Sequence, residues 1–189
     1  MINDTQPALT AVELLRILID EEMLVWDEAW RIVFDTFTFT NHSLRAKAAE
    51  SWPIEMLEKI LPRHLTLIYD INFYFLEHLR ELKVDEHKIA ALSLIDETAP
   101  RSVRFAHLCF ICSHRSFGVS SLHVENLKRG LLSEVNEVYP GRLSCANPIV
   151  SPLRWIHCAN PELSALLTEC LGGDDSWLKD LSLLKSILA

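Results

Sequence analysis

A histidine suited to proton transfer follows a short run of β-branched and aromatic residues. The run Thr36-Phe37-Thr38-Phe39-Thr40 predicts an extended segment, and Asn41 and His42 come directly after it. Because histidine changes charge near neutral pH, a rigidly held His42 could donate or accept a proton. The alternative is a histidine that satisfies a buried turn. Both interpretations stay open, since acid-base work needs a second group within hydrogen-bond reach.

Other polar residues give weaker signals of a site. His114 and His123 flank a glycine-containing segment that we expect to be a turn. Residues of this kind are more often structural or solvated than functional, and the same holds for Glu50. Asp70 and Asn72 are the better signals, because they fall within a long apolar helix where a buried polar group needs a partner.

Two cysteines have the spacing of zinc ligands. Cys109 and Cys112 are separated by two residues, but no second pair of this kind follows, and the stretch HLCFICSH predicts a buried helix. We therefore expect a packed core and no metal. The tryptophans could stack on sugar rings, but most fall at apolar helical positions, which favours core packing.

Composition excludes several classes of protein. A chain of 189 residues with 49% hydrophobic and 23% charged residues should fold as one domain, over residues 1–189. Its net charge of -8 argues against nucleic-acid partners, which require a clustered positive face. Charges interrupt every apolar run before membrane length, so no membrane association is expected. Five cysteines, an odd number in apolar surroundings, suggest a reducing compartment, and we expect a cytoplasmic protein.

Helical spacing of apolar residues dominates the sequence. Only five glycines occur, and the pattern predicts a mainly α, single-domain, multi-helix fold with few short strands. We expect Gly172 and Gly173 to end a helix in the left-handed conformation. The segment from Tyr139 to Pro152 is the most loop-like part. The predicted helices are Pro7–Glu22, Trp26–Phe37, Pro53–Ile60, Pro62–Lys83, Glu86–Ile95, Val103–Cys112, Leu122–Leu132, Pro161–Leu171 and Ser176–Leu188.

Several longer segments carry a more specific signal. They are NDTQPAL, FTNHS, SWPIEMLEKILPRHLTLIYDIN, VRFAHLCFICSH and PLRWIHCANPELSALLTECLG. In sequence and order they resemble segments of one enzyme family, the α-glucan (glycogen and maltodextrin) phosphorylases. The similarity covers nearly the whole chain but only a middle segment of the larger enzyme. The resemblance implies a fold derived from part of that enzyme's GT-B type catalytic core. The family's cofactor, pyridoxal phosphate, is held by a later segment with no counterpart here, so we expect no cofactor and no phosphorolysis by this chain alone.

The family's polar motifs are only partly kept. Gln6 stands where the family's first motif has histidine, whereas the sugar-contacting Thr40, Asn41 and His42 are retained. Phe117 replaces an expected asparagine. Near Asn147 a later sugar-binding motif is altered, because Pro148 or a shifted Asn147 fills the place of its asparagine. Leu153 replaces one arginine of that motif, and Arg154 remains.

These departures fall on contact residues while the apolar helix positions are kept, which suggests a new or lost activity. Our first hypothesis is a repurposed, cofactor-independent enzyme acting on a less polar substrate. Its acid-base residues would be Asp4, His42 and His114, although Asp4 could equally cap the first helix. The substrate would contact Gln6, Asn41, Phe117, Asn147 and Arg154.

Two other functions remain open. The chain could be a non-catalytic module that binds α-glucan or docks on a full-length phosphorylase, or one part of a split phosphorylase. Because the parent enzyme covers these helices with other segments, apolar faces would be left open here, and we expect a homodimer.

Overall fold

The structure, a computed structural model, describes residues 1–44, 50–146 and 151–188. These residues fall into two compact units, Met1–Ala146 and Asn147–Ala189. The single domain expected over residues 1–189 stays a prediction.

The first unit is rich in helices, as the apolar spacing indicates. Its helices are α1 (Leu9–Arg16, followed by a π-helical turn at Ile17–Glu21), α2 (Trp26–Thr36), α3 (Ile54–Ile60), α4 (Pro62–Glu81), α5 (Glu86–Leu92), α6 (Phe105–Ile111), α7 (Ser121–Arg129) and α8 (Ser133–Val138). The longest, α4, has Pro62 in its first turn and contacts α1, α3 and α5.

Asn72 of α4 is half-buried and has a structural role. Its Oδ1 accepts hydrogen bonds from the backbone N–H of Leu94 at 2.8 Å and from the hydroxyl of Ser93 at 3.3 Å. These bonds tie α4 to the segment that follows α5. Asp70, the neighbouring signal, is also half-buried.

Seven short strands form two sheets in the described part of this unit. The strands are β1 (Ile2–Asn3), β2 (Thr38–Asn41), β3 (Ser51–Pro53), β4 (Ile95–Asp96), β5 (Ser102–Arg104), β6 (Arg115–Gly118) and β7 (Leu143–Cys145). The first sheet is parallel with the order β1-β2-β6-β7, and the second is antiparallel with the order β3-β5-β4.

The parallel sheet corrects the sequence-based picture of the fold. The extended run before Asn41 is confirmed as β2, but the expected turn between His114 and His123 holds strand β6, and the expected loop after Tyr139 holds β7. The helix predicted from Val103 begins only at Phe105, after β5. Strands of two to four residues are too short for an alternating pattern to register against helical spacing. The chain is largely helical, yet a parallel sheet organises its first unit.

Only one face of the parallel sheet is deeply buried. Ile2, Phe39, Ser116 and Leu143 point to that face and are at most 3% exposed. Alternate residues point the other way: Thr40 among them is buried, whereas Asn3, Arg115 and Ser144 are exposed. Parallel sheets are normally covered on both faces. The first unit therefore leaves part of one face of its sheet open.

The segment with zinc-like cysteine spacing is the buried helix α6, as expected. Cys109 and Cys112 are fully buried free thiols, and burial raises the pKa of Cys112 to about 12. A thiolate is therefore disfavoured at neutral pH, and these side chains act as small core hydrophobes.

The second unit contains α9 (Pro152–Ala159), α10 (Pro161–Cys170) and two 3-10 helical segments, Ser176–Leu178 and Leu181–Leu188, in place of the single helix predicted from Ser176. Gly172 and Gly173 have φ values of 72° and 89°, which confirms the left-handed end of α10. Trp177 is completely buried, and its Nε1 donates to the hydroxyl of Thr168 at 2.9 Å. Core packing is thus confirmed for this tryptophan.

No helix in the described ranges combines the length and the apolar character needed to cross a membrane.

His107 of α6 should make stability depend on pH. The side chain is 9% exposed, and burial lowers its pKa below the ordinary value of 6.5. Below pH 6.5 the imidazole of His107 binds a proton in the unfolded chain but not in the folded chain. The contribution of His107 to stability is therefore fully present above that pH and is lost as the pH falls. The slope contributed by one proton is at most about 1.4 kcal/mol per pH unit.

We therefore expect His107→Gln to flatten the fall in free energy of unfolding between pH 7.5 and 5.5, measured by urea unfolding. The control is His87→Gln, at an exposed position on α5. A wild-type slope retained in His107→Gln would contradict the prediction.

Candidate functional site

The ends of the parallel strands bring the predicted polar residues to one edge. In a parallel sheet all strands end at the same side, and open α/β sheets place ligand sites there. Asn3 lies beside Thr40 in the pairing of β1 with β2, and Asn41 lies beside Gly118 in the pairing of β2 with β6. We call this the carboxyl edge.

His42 and Asn3 are joined directly across the carboxyl edge. The Nε2 atom of His42 is 2.8 Å from Oδ1 of Asn3, and both residues are exposed. Since an amide oxygen only accepts, the imidazole donates through Nε2, and its Nδ1 then carries a lone pair. The ring is held in one orientation at the rim of the site.

Asp4 forms a tight turn at the end of β1. Its φ is +59°, in the left-handed region that aspartate tolerates better than most residues. Its backbone N–H donates to the carbonyl of Thr40 at 2.8 Å, and its Oδ1 accepts from the N–H of Thr5 at 3.0 Å. The idea that Asp4 caps the first helix is wrong, because α1 begins at Leu9 and has no side-chain cap.

A second carboxylate, Glu50, braces the same turn. It accepts from the hydroxyl of Thr5 at 3.2 Å and from Nε1 of Trp52 at 2.9 Å. Both of its oxygens are therefore engaged in holding neighbouring segments. Within the described residues, neither Glu50 nor Asp4 bonds to His42.

Asn41 is the buried member of the site. It has no exposed surface, its Oδ1 lies 3.3 Å from Nε2 of His123, and its Nδ2 has no hydrogen-bond partner among the described residues. The sequence gives only a weak signal that His123 belongs to a site. The one local signal was Ser120, whose side chain accepts from the N–H of His123 and starts α7 at this point.

Gly118 lets α7 come close enough for this contact. A Cβ atom at this position would lie 2.7 Å from Cγ2 of Val124 and 3.0 Å from Cδ2 of His123. The first distance is shorter than the contacts that real Cβ atoms make, and the second is tighter than most of them. The missing side chain is therefore a requirement of the packing that brings His123 to Asn41.

His114 does not join the other two proposed catalytic residues. It precedes β6 at the opposite edge of the sheet, where its Nδ1 is 3.2 Å from the carbonyl oxygen of Phe34. The four residue-to-residue steps from His114 to Gly118 span about 13 Å at the rise of a strand. The structure thus groups Asp4 and His42 at the carboxyl edge and places His114 elsewhere.

The proposed substrate-binding residues have different positions. Gln6 is exposed in the turn after Asp4, and Phe117 is half-buried on the open face of the sheet, beside Thr40. Arg154 is exposed in the first turn of α9, in the second unit. Asn147 and Pro148 lie outside the described residues.

The described residues do not fit pyridoxal phosphate, the cofactor that the resemblance brings to mind. Such a cofactor is held through a lysine amine in a sheltered site. Every lysine in the described ranges has an exposed side chain, and none is at the carboxyl edge. The same ranges contain no group of three or more potential metal ligands.

We expect Gly118→Ala to separate α7 from the sheet and to weaken the Asn41–His123 contact. Overpacking of this kind should lower the free energy of unfolding by about 1–3 kcal/mol. Chemical denaturation measures the loss, and the control is Ser144→Ala on the exposed face of β7, for which we expect a change within about 0.5 kcal/mol. An alanine variant as stable as wild type would contradict the packing argument.

Comparison with known proteins gives a consistent match over the whole chain. A family model described as carbohydrate phosphorylase matches residues 1–189. Glycogen phosphorylase of Synechocystis sp. is 40% identical over 98% of this chain, and glycogen phosphorylase 2 of Dictyostelium discoideum is 41% identical over 99%. The brain form of glycogen phosphorylase from Rattus norvegicus is 39% identical over 100%.

The match covers a small part of these relatives. The aligned segment is 22% of the Synechocystis protein, 19% of the Dictyostelium protein and 22% of the rat protein. The chain thus spans about a fifth of the length of the curated relatives it matches. Together, the full-length family match and these identities show that the chain belongs to the carbohydrate phosphorylase family.

Proposed function

We propose that the chain is a carbohydrate-binding module that holds an α-glucan at the carboxyl edge. The observation that carries this proposal is the hydrogen-bonded pair of His42 and Asn3 at an exposed rim. Imidazole and amide groups offer donors and acceptors of the kind that sugar hydroxyls need.

The relatives support the choice of ligand. Their names are those of glycogen phosphorylases, and glycogen is an α-glucan. The retained motif Thr40, Asn41 and His42 is the part of this chain that resembles the family's sugar subsite. The proposed ligand therefore follows from the site and the family together.

Binding is favoured over catalysis by the arrangement of carboxylates. General acid-base work requires two groups that reach the same reacting atom, usually within about 3 Å of it. Asp4 is used by its own turn, and Glu50 is used by Thr5 and Trp52. His42 is bonded to an amide, which does not titrate.

The family origin also bears on what the chain does not do. In our proposal the first unit derives from part of the family's GT-B type catalytic core. Phosphorolysis is not assigned to this chain alone, because its described lysines do not fit the cofactor. Docking on a full-length phosphorylase is the corresponding proposal for a protein partner.

Maltoheptaose titrated into the full chain in a calorimeter tests the binding proposal. We expect a dissociation constant in the millimolar range or tighter, weakened at least about fivefold by His42→Ala, since one removed hydrogen-bonding group costs about 1–3 kcal/mol. The matched control is His87→Ala at an exposed site on α5, which should bind as wild type does. Absence of heat with the wild-type chain would overturn the proposal.

A second candidate is the repurposed, cofactor-independent enzyme, and one observation favours it. With Nε2 of His42 donating to Asn3, the neutral form of the exposed imidazole has its lone pair on Nδ1. That nitrogen could accept a proton from a bound substrate. Phe117 on the open sheet face would give such a substrate a less polar contact.

For this candidate we expect His42→Ala to abolish turnover of any substrate found for the chain while shifting the thermal midpoint by only a few degrees. Thermal unfolding and initial rates, measured side by side, separate loss of function from loss of fold. An unchanged rate in the variant would reject His42 as the base.

Self-association is also kept as a proposal. The sheet face with Asn3, Arg115 and Ser144 is open in the first unit taken alone, and a second copy could cover it. Light scattering at low concentration decides between a dimer and a monomer.

A further inference from the structure

The amino edge of the parallel sheet, where the strands begin, carries a pocket of about 420 Å³. Its walls come from α2, α4, the end of α6 and the segment that precedes β7. None of its lining residues belongs to the carboxyl edge. A volume of this size suits a small molecule.

Aromatic rings form the main walls of this pocket. Trp26 and Trp30, one turn apart on α2, are parallel within 2° with ring centroids 6.2 Å apart. The ring centroid of Tyr74 on α4 lies 4.7 Å from that of Trp26, and Tyr74 is about half exposed. Tyr139 closes another side. Flat walls of this kind select a flat ligand.

Arg142 gives the pocket a positive charge. Its guanidinium lies 4.5 Å from the ring centroid of Phe110 and 5.1 Å from that of Tyr139. Its Nη2 donates to the carbonyl oxygens of Phe110 and Ser113, whereas its buried Nε has no partner among the described residues. Burial lowers the pKa of Arg142.

No carboxylate offsets this charge within the pocket. The lining contains Arg31, Arg142 and His78, and no aspartate or glutamate among the described residues. A buried cation without a counterion is costly, so an anion that enters the pocket gains from the pairing. The lining offers cations and rings but few acceptors for the hydroxyl groups of a sugar.

We propose that this pocket binds a small planar aromatic carboxylate, whose ring packs against Trp26, Trp30 and Tyr74 and whose carboxylate pairs with Arg142 and Arg31. The site is separate from the carboxyl edge and does not depend on glucan binding there. The pocket has flat aromatic walls and positive charge, which the carboxyl edge lacks.

The test uses 1-naphthoate as the probe, titrated into the full chain by calorimetry and by tryptophan fluorescence. We expect a submillimolar dissociation constant and quenching of the emission. Neutral 1-naphthalenemethanol should bind at least tenfold more weakly, because it lacks the charge that pairs with the arginines. Equal binding of the two probes would overturn the proposal, and so would displacement of naphthoate by maltoheptaose.

Variants locate the site. We expect Trp30→Ala to weaken naphthoate binding at least tenfold and Arg31→Gln to weaken it about threefold. The control is Trp155→Phe, an exposed tryptophan of the second unit, which should leave the dissociation constant unchanged. Wild-type affinity in a folded Trp30→Ala variant would overturn the assignment.

The role of Arg142 is tested in the wild-type chain. A substitution of Arg142 would also remove its hydrogen bonds to two backbone carbonyl oxygens and could unfold the protein. In the wild-type chain, the ¹⁵Nε resonance of Arg142 should shift on addition of 1-naphthoate and stay in place with the neutral alcohol. An unmoved resonance at saturating naphthoate would overturn the role of this arginine.

Discussion

The arrangement of the first unit depends on the direction in which its parallel sheet grows. The order β1-β2-β6-β7 adds each later strand on the same side of the one before. Since parallel crossovers are right-handed in nearly all proteins, each connection returns over the same face. That single constraint explains why Phe39 and Leu143 are buried while Ser144 is exposed. It also collects residues far apart in sequence, such as Asn41 and His123, at one edge.

The two edges of the sheet have opposite chemistry. At the carboxyl edge, amides and an imidazole are tied by hydrogen bonds between neighbouring strand ends, as in the pair of His42 and Asn3. At the amino edge, helices bring aromatic rings around a guanidinium. Several other arginines pair with acids at the surface, as Arg63 does with Asp20 at 2.6 Å. Arg142 differs because, among the described residues, its guanidinium contacts aromatic rings and backbone carbonyl oxygens and no carboxylate.

Local chemistry determined what could be predicted from the sequence. The long apolar pattern located α4, the cysteine spacing in an apolar stretch located the buried helix α6, and the run before Asn41 located β2. The contact of Asn41 with His123 was not predictable in the same way, because it depends on a crossover and on the missing Cβ of Gly118. Strands β6 and β7 were missed because three or four residues do not establish a period. The residues most open to prediction were thus those whose neighbours in sequence are also their neighbours in space.

The turn at Asp4 shows that a residue can be required for the backbone conformation and not for chemistry. A residue with φ of +59° is tolerated most easily as glycine, asparagine or aspartate, and here the aspartate also binds the N–H of its successor. The backbone conformation alone is thus sufficient to account for an aspartate at this position, without a role in proton transfer. An aspartate at this position in a distant member of the family would therefore indicate the same turn of the backbone, and would not by itself indicate a catalytic site.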